Sequence, residues 1–466
     1  MNKHIFSLLL LFSSISYLTA QTKLPFLFSD NMVLQQLQSV SIWGMDNPNV
    51  KVVVEGSWGK STNTITDENG KWKLKLATPA AGGPYTVTVK GSKKLVLKNV
   101  LIGEVWFCSG QSNMEMPVKG YMNQPVVGSN EAILNSANDK IHFLNTPRGA
   151  SLTPLYDLKS EWKAALPATT GNISATAYFF AKKLQAVLGV PIGIIHSSWG
   201  ASKIESWMDV ESLRGFKYNT VPDTLPAKEP QTKPTLMYNS LLNPYIGYTM
   251  KGVIWYQGES NRSNADEYLG LFTSMIKLWR SKWQQGDFSF YFVQIAPHET
   301  KNLNAAFLRE AQLKTMQTVT NTGMAVTMDI GESNLIHPSQ KEPVGNRLAY
   351  WALAKDYNIS GIAFSGPVFK KIEKTEDNKM ILAFDYAEMG LTSFGKQLTD
   401  FEIAGEDKIF YAAQAKIVND KRGSLLVWND DIKKPVSVRY AFKSWAQGCL
   451  FNTQGLPASS FRTDDW

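Results

Sequence analysis

A serine and a histidine, more than two hundred residues apart along the chain, are the pair in this sequence best suited to chemistry. The serine is Ser112, in the stretch CSGQSNMEMPV. Residues 100–107 form a mostly apolar run, short enough for a strand buried in a parallel sheet. The run breaks abruptly into Ser109, Gly110, Gln111, Ser112 and Asn113. A hydroxyl on a tight turn just past a central strand stands at the mouth of an α/β sheet, where ligands bind. Gly110 permits such a turn, because glycine alone takes the required backbone angles without steric penalty. Ser112 is therefore a candidate nucleophile, and its own N–H is a candidate donor to a developing oxyanion. The same five residues also fit an ordinary loop. A serine needs a base, and the chain has five histidines: His4, His142, His196, His298 and His337. His337, in DIGESNLIHPSQKEPVGNRLA, lies between a predicted strand and a predicted helix. A loop there can reach the sheet mouth, so His337 is the candidate base that later protonates the leaving alcohol. A surface-loop histidine is the competing reading.

CSGQSNMEMPV resembles the first signature of the sialate O-acetylesterase family, within the SGNH (GDSL-like) serine hydrolases. Similar stretches run from SDNMVLQ near the N-terminus to GLPASSFRTD near the end. The Ile-His-Pro of 336–338, followed by Lys341 and Gly-x-Arg-Leu, resembles the family's last signature. The resemblance implies that Ser112 is the nucleophile and His337 its partner. Related hydrolases often place an aspartate two or three residues before the histidine, whereas Asn334 and Leu335 stand there in this chain. Asp329, Glu332 and Asn334 are the nearby candidates to orient the ring. A full triad and a Ser–His dyad both stay open, with the dyad preferred.

An oxyanion needs donors from separate loops converging on one point. Trp199-Gly200 in HSSWGAS resembles the family's glycine block, with Ala201 in place of a second glycine. It makes the Gly200 N–H a candidate donor. GVIWYQGESN (252–261) matches the family closely, with Gln257 where SGNH enzymes use an asparagine amide. Gln257 is the second candidate donor, and Gln111, Asn113 and Glu259 are candidate substrate contacts. A sialic acid carboxylate would call for an arginine, for which Arg148, Arg262 and Arg309 are candidates.

The elements that must position these residues follow from periodicity. Predicted strands at 100–107, 190–196, 251–256, 288–295 and 323–329 alternate with predicted helices. The helices are a segment capped by Ser174 and stopped by Gly189, an amphipathic segment over 264–283, and segments over 304–319 and 343–355. Strands separated by long crossovers require a mostly parallel sheet, here five-stranded, with helices on both faces. The expectation is a three-layer α/β domain over residues 100–360. An N-terminal β-sandwich over 21–99 and a C-terminal β-rich region over 361–466 flank it, both read from short alternating segments between turn signals.

Residues 1–20 read as a secretory signal, with Lys3 and His4 before an apolar run and Leu18-Thr19-Ala20 as the cleavage site. An exported protein, periplasmic or secreted, is expected. No later stretch approaches the length needed to span a bilayer. The net charge of +8 is scattered among acids with no basic run, which argues against a nucleic-acid partner. Cys108 and Cys449 are the only cysteines; an oxidising compartment permits a disulfide between them. No metal-ligand spacing, dinucleotide fingerprint or phosphate loop occurs, so no cofactor is expected. The reading is a serine esterase acting on O-acetylated sialic acid. The competing readings are an acetylxylan or hemicellulose esterase with the same chemistry, and a non-catalytic glycan-binding protein.

Overall fold

The computed structural model describes residues 21–466; the segment read as a secretory signal lies outside the described residues. One strand organises the rest. Lys94–Gly110 is 17 residues long, and its character changes halfway. Its first half alternates between half-buried and exposed side chains and pairs antiparallel with Gly82–Lys90. From Val100 onward it is buried on both faces, as the apolar run requires. There it pairs parallel with Ile192–Ser198 on one side and Gly252–Tyr256 on the other. The β-rich N-terminal region and the α/β region therefore share one eleven-stranded sheet. The junction expected near residue 100 falls inside a continuous strand.

The central part of that sheet runs Thr322–Ala325, Ser289–Val293, Gly252–Tyr256, Lys94–Gly110, Ile192–Ser198, Asn138–Asn145, all parallel. Trp162–Ala165 closes the edge antiparallel to Asn138–Asn145. The expected five parallel strands are thus six, plus an antiparallel edge. Asn138–Asn145 escapes a sequence reading because its first three residues are polar and only Ile141–Leu144 are buried.

Successive side chains of the central strand point to opposite layers. Trp106 and Cys108 join a core with Phe179, Phe180, Leu184, Val344 and Leu348 from helices Ala175–Leu188 and Lys341–Lys355. Val105 and Phe107 join the other core, with Phe272, Met275, Trp279 and Leu308 from Ala265–Trp283 and Ala306–Thr318. Local signals match the first helix: the Ser174 hydroxyl accepts from Ala177 N at 3.1 Å, and Gly189 closes it at φ 70°. The C-terminal region is built from antiparallel strands, and both cysteines are buried and free. Among the described residues no helix is long and apolar enough to cross a membrane.

Candidate active site

The turn that carries Ser112 is set by one glycine. Gly110 adopts φ +143°, and a Cβ there would lie 2.2 Å from the Tyr256 carbonyl oxygen, so no other residue fits. Gln111 N then donates to that carbonyl at 2.9 Å, and the chain enters a short helical turn, Ser112–Glu115. Among the described residues the Ser112 N–H meets no acceptor, as expected for the first donor of a helical turn.

His337 arrives from the loop between the last parallel strand and helix Lys341–Lys355. Its Nε2 lies 2.7 Å from Ser112 Oγ. Its Nδ1 is hydrogen-bonded to the side-chain oxygen of Gln124. With that oxygen as acceptor, the proton sits on Nδ1 and the Nε2 lone pair faces the serine, the tautomer a general base needs. Tyr121 packs edge-on against the imidazole, with ring centroids 5.5 Å apart. Burial, then the neighbouring Lys341 and His298, push the His337 pKa down to about 4, against the opposing pull of Glu115.

The ring is therefore oriented by an amide, and among the described residues none of the three residues expected from sequence hydrogen-bonds to it. Asp329 is held by Arg347 in a two-pronged ion pair at 2.7 and 2.6 Å. Glu332 accepts from Ser339 N at 2.9 Å and braces its own loop. Asn334 is exposed. Gln124 is missing from the sequence reading because no motif marks it. The only available signal is that a loop leaving the Ser112 turn must begin at the sheet mouth.

The expected oxyanion donors are also rearranged. Gly200 does abut the serine: a Cβ placed on it would lie 3.4 Å from Ser112 Cβ. Its N–H, however, donates to Glu115 Oε2 at 2.7 Å. Glu115 is in turn gripped by Arg148 Nε and Nη2 at 2.6 and 2.8 Å, and Arg148 lies over the Trp199 ring. Gln257 is fully buried, and its amide is committed: Nε2 donates to Ser202 O and Asn261 Oδ1, while Oε1 accepts from Tyr268. It scaffolds the turn and has no donor to spare for an oxyanion.

The three expected substrate contacts form the floor of the site. Gln111 Oε1 accepts from Gly258 N and Ser260 N at 3.2 and 3.3 Å, tying two strand-end turns together. Asn113, with no exposed surface, donates to Glu259 Oε1 at 2.6 Å and to the Ile336 carbonyl at 3.0 Å. It also accepts from Lys341 Nζ at 2.5 Å. Asn113 thus fixes the backbone next to His337. Burial raises the Glu259 carboxyl, and burial lowers Lys341 to about 7, with Glu259 and Glu332 opposing that shift. Among the described residues no group of His, Cys, Asp or Glu side chains is arranged to hold a metal ion.

An oriented imidazole on a strand-end hydroxyl, beside an N–H that meets no acceptor among the described residues, is an arrangement able to do serine-hydrolase chemistry. The family model for carbohydrate esterases described as sialic acid-specific acetylesterase matches residues 102–354. Human sialate O-acetylesterase is 27% identical over 93% of this chain and 91% of that protein. The mouse enzyme is 28% identical over 93% of each. The crystal structure of a carbohydrate acetylesterase from Xanthomonas citri superposes with a TM-score of 0.86 at 37% identity, covering 96% of this chain and all of that one. The chain belongs to the sialic acid-specific acetylesterase family of carbohydrate esterases.

Proposed function

We propose that this carbohydrate esterase removes O-acetyl groups from sialic acid, with Ser112 as nucleophile and His337 as general base and acid. The observation that carries the reading is the 2.7 Å contact between Ser112 Oγ and His337 Nε2 across two distant chain segments. As Oγ bonds to the acetyl carbonyl carbon, its proton passes to His337 Nε2. The oxyanion faces the free Ser112 N–H; the Gly200 N–H joins it only when Glu115 is displaced. His337 then gives the proton to the departing sugar oxygen as the C–O bond breaks, leaving acetyl-serine. Water adds to that ester with His337 again taking a proton, and acetate leaves as the serine is restored.

The names of the human and mouse relatives favour sialate over xylan as the sugar. The amino-terminal pattern of Lys3, an apolar run and Ala20 supports an exported enzyme. The deciding assay is acetate release from O-acetylated N-acetylneuraminic acid beside acetylated xylan. We expect turnover of the first to dominate and to vanish in Ser112→Ala. Dominant xylan turnover reassigns the sugar, and an active Ser112→Ala overturns the nucleophile.

A further inference from the structure

Three arginines could meet a substrate carboxylate, and their surroundings separate them. Arg309 is completely buried, and its guanidinium is spent on Ser460 and the carbonyls of Ala441, Lys443 and Ser444. Arg148 is already neutralised by both oxygens of Glu115. Arg262 differs from both. It is half-buried, yet among the described residues it forms no ion pair. Its Nε donates to the Glu259 carbonyl at 2.9 Å and its Nη1 lies 3.5 Å from His298 Nδ1. Among the described residues its Nη2 meets no protein acceptor. A half-buried guanidinium with donors to spare and no carboxylate bonded to it is suited to take an anion.

Its position is the second part of the argument. Arg262 belongs to the turn Glu259–Asn264, directly after the parallel strand Gly252–Tyr256, on the face where Ser112 emerges. Glu259, three residues earlier, holds Asn113, the neighbour of the nucleophile. Arg262 also lines a cleft of ≈ 520 Å³ walled by Asn302, Asn304, Leu303 and Phe307. The other cations of that cleft, Lys314 and Arg462, are both paired with Glu310, and its other acid, Asp266, is paired with Lys217. Arg262 is thus the one cation of that cleft with no carboxylate in direct contact among the described residues; the nearest charge that favours it is Glu259, whose carboxylate is bonded to Asn113.

We propose that Arg262, with His298 beside it, binds the carboxylate of an acidic acetylated sugar, so that charge at the far side of the sugar selects the substrate. The proposal rests on the sialate reading above and names its specificity determinant. A two-pronged guanidinium–carboxylate contact in a partly dry site corresponds to about a tenfold to hundredfold gain in affinity.

The test compares O-acetylated N-acetylneuraminic acid with its methyl ester, which keeps the acetyl group and removes the charge. The wild-type enzyme is expected to favour the acid by about tenfold or more in kcat/KM, through KM. In Arg262→Gln that ratio falls to near one. Arg262→Lys, which keeps the charge but not the fork, lies between and covers the case in which the glutamine variant misfolds. Equal use of acid and ester by the wild type overturns the subsite while leaving the sialate reading intact. So does an unchanged ratio in a folded Arg262→Gln. Turnover of acetylated xylan with neither sialate derivative removes the sugar reading and the subsite together.

Discussion

Two serine–histidine–amide relays stand near the same end of this sheet, one past the end of the central strand and one on its neighbour, and they look alike atom by atom. In one, Ser112 Oγ meets His337 Nε2 at 2.7 Å and Gln124 holds Nδ1. In the other, Ser198 Oγ meets His196 Nε2 at 2.6 Å and Asn145 Oδ1 lies 3.1 Å from Nδ1. Burial is the first cause lowering both imidazoles to about 4. Their settings differ. Ser198 and His196 stand two residues apart on one strand, buried, with Ser198 opposite Gly110 in the ladder. Ser112 opens a helical turn, is half-buried, and keeps beside its hydroxyl an N–H that meets no acceptor among the described residues. Hydrogen-bond length and basicity therefore do not mark a nucleophile. Access and an oxyanion donor at the same point do.

The largest effect that can break this contrast is on turnover. Ser112→Ala or His337→Ala should lower kcat by a factor on the order of 10⁴–10⁶, as removal of a nucleophile or its base does in serine hydrolases. Ser198→Ala should keep most of the activity. Comparable losses from the two serine substitutions, measured by acetate release, would mean that the buried relay takes part.

A smaller effect separates the two amides. Gln124→Ala frees the imidazole to rotate and should cost about tenfold to a hundredfold in kcat, less than loss of a carboxylate orienter does elsewhere. The pH profile is the sharper readout. The base is active when neutral, and His337 is held at about 4 rather than the ordinary 6.5, so the acid limb of kcat/KM should lie near pH 4. Gln124→Glu would set a carboxylate on Nδ1–H, favour the imidazolium and move that limb upward. An acid limb already at the ordinary histidine value would show that the native site does not hold the ring neutral.

How much of this was legible depended on whether a residue's role is local. The turn at Gly110–Ser112 is local, because an apolar run followed by glycine and small polar residues dictates it. So are the Ser174 cap and the Gly189 stop. His337 could be picked from five histidines by its place between strand and helix. Gln257 was misread because a strand-end position says which face a turn reaches and nothing about where a buried amide turns. Ser202, 55 residues earlier, decides that together with Asn261 in the same turn and Tyr268 in the helix that follows. Gln124 was invisible for the same reason: its partner lies 213 residues away. Asn138–Asn145 was hidden by its polar leading half, although its buried residues hold it in the sheet.

The smallest effect is on stability, and it belongs to the silent relay. In Ser198→Ala the His196 Nε2 loses its partner in a buried site, a cost of about 1–3 kcal/mol. The sign of the pH dependence follows from the same burial. His196 titrates at about 4 when folded and near 6.5 when unfolded, so between those values the unfolded chain binds the extra proton. Its contribution to stability is complete above pH 6.5 and declines as the pH falls toward 4. Replacing His196 by the uncharged Gln removes that titration, so denaturant midpoints for the variant should vary less between pH 7 and 5 than the wild type's. A pH slope unchanged by His196→Gln would mean that this imidazole is not the buried, neutral group its hydrogen bonds describe. The resemblance between the two relays would then end at their distances.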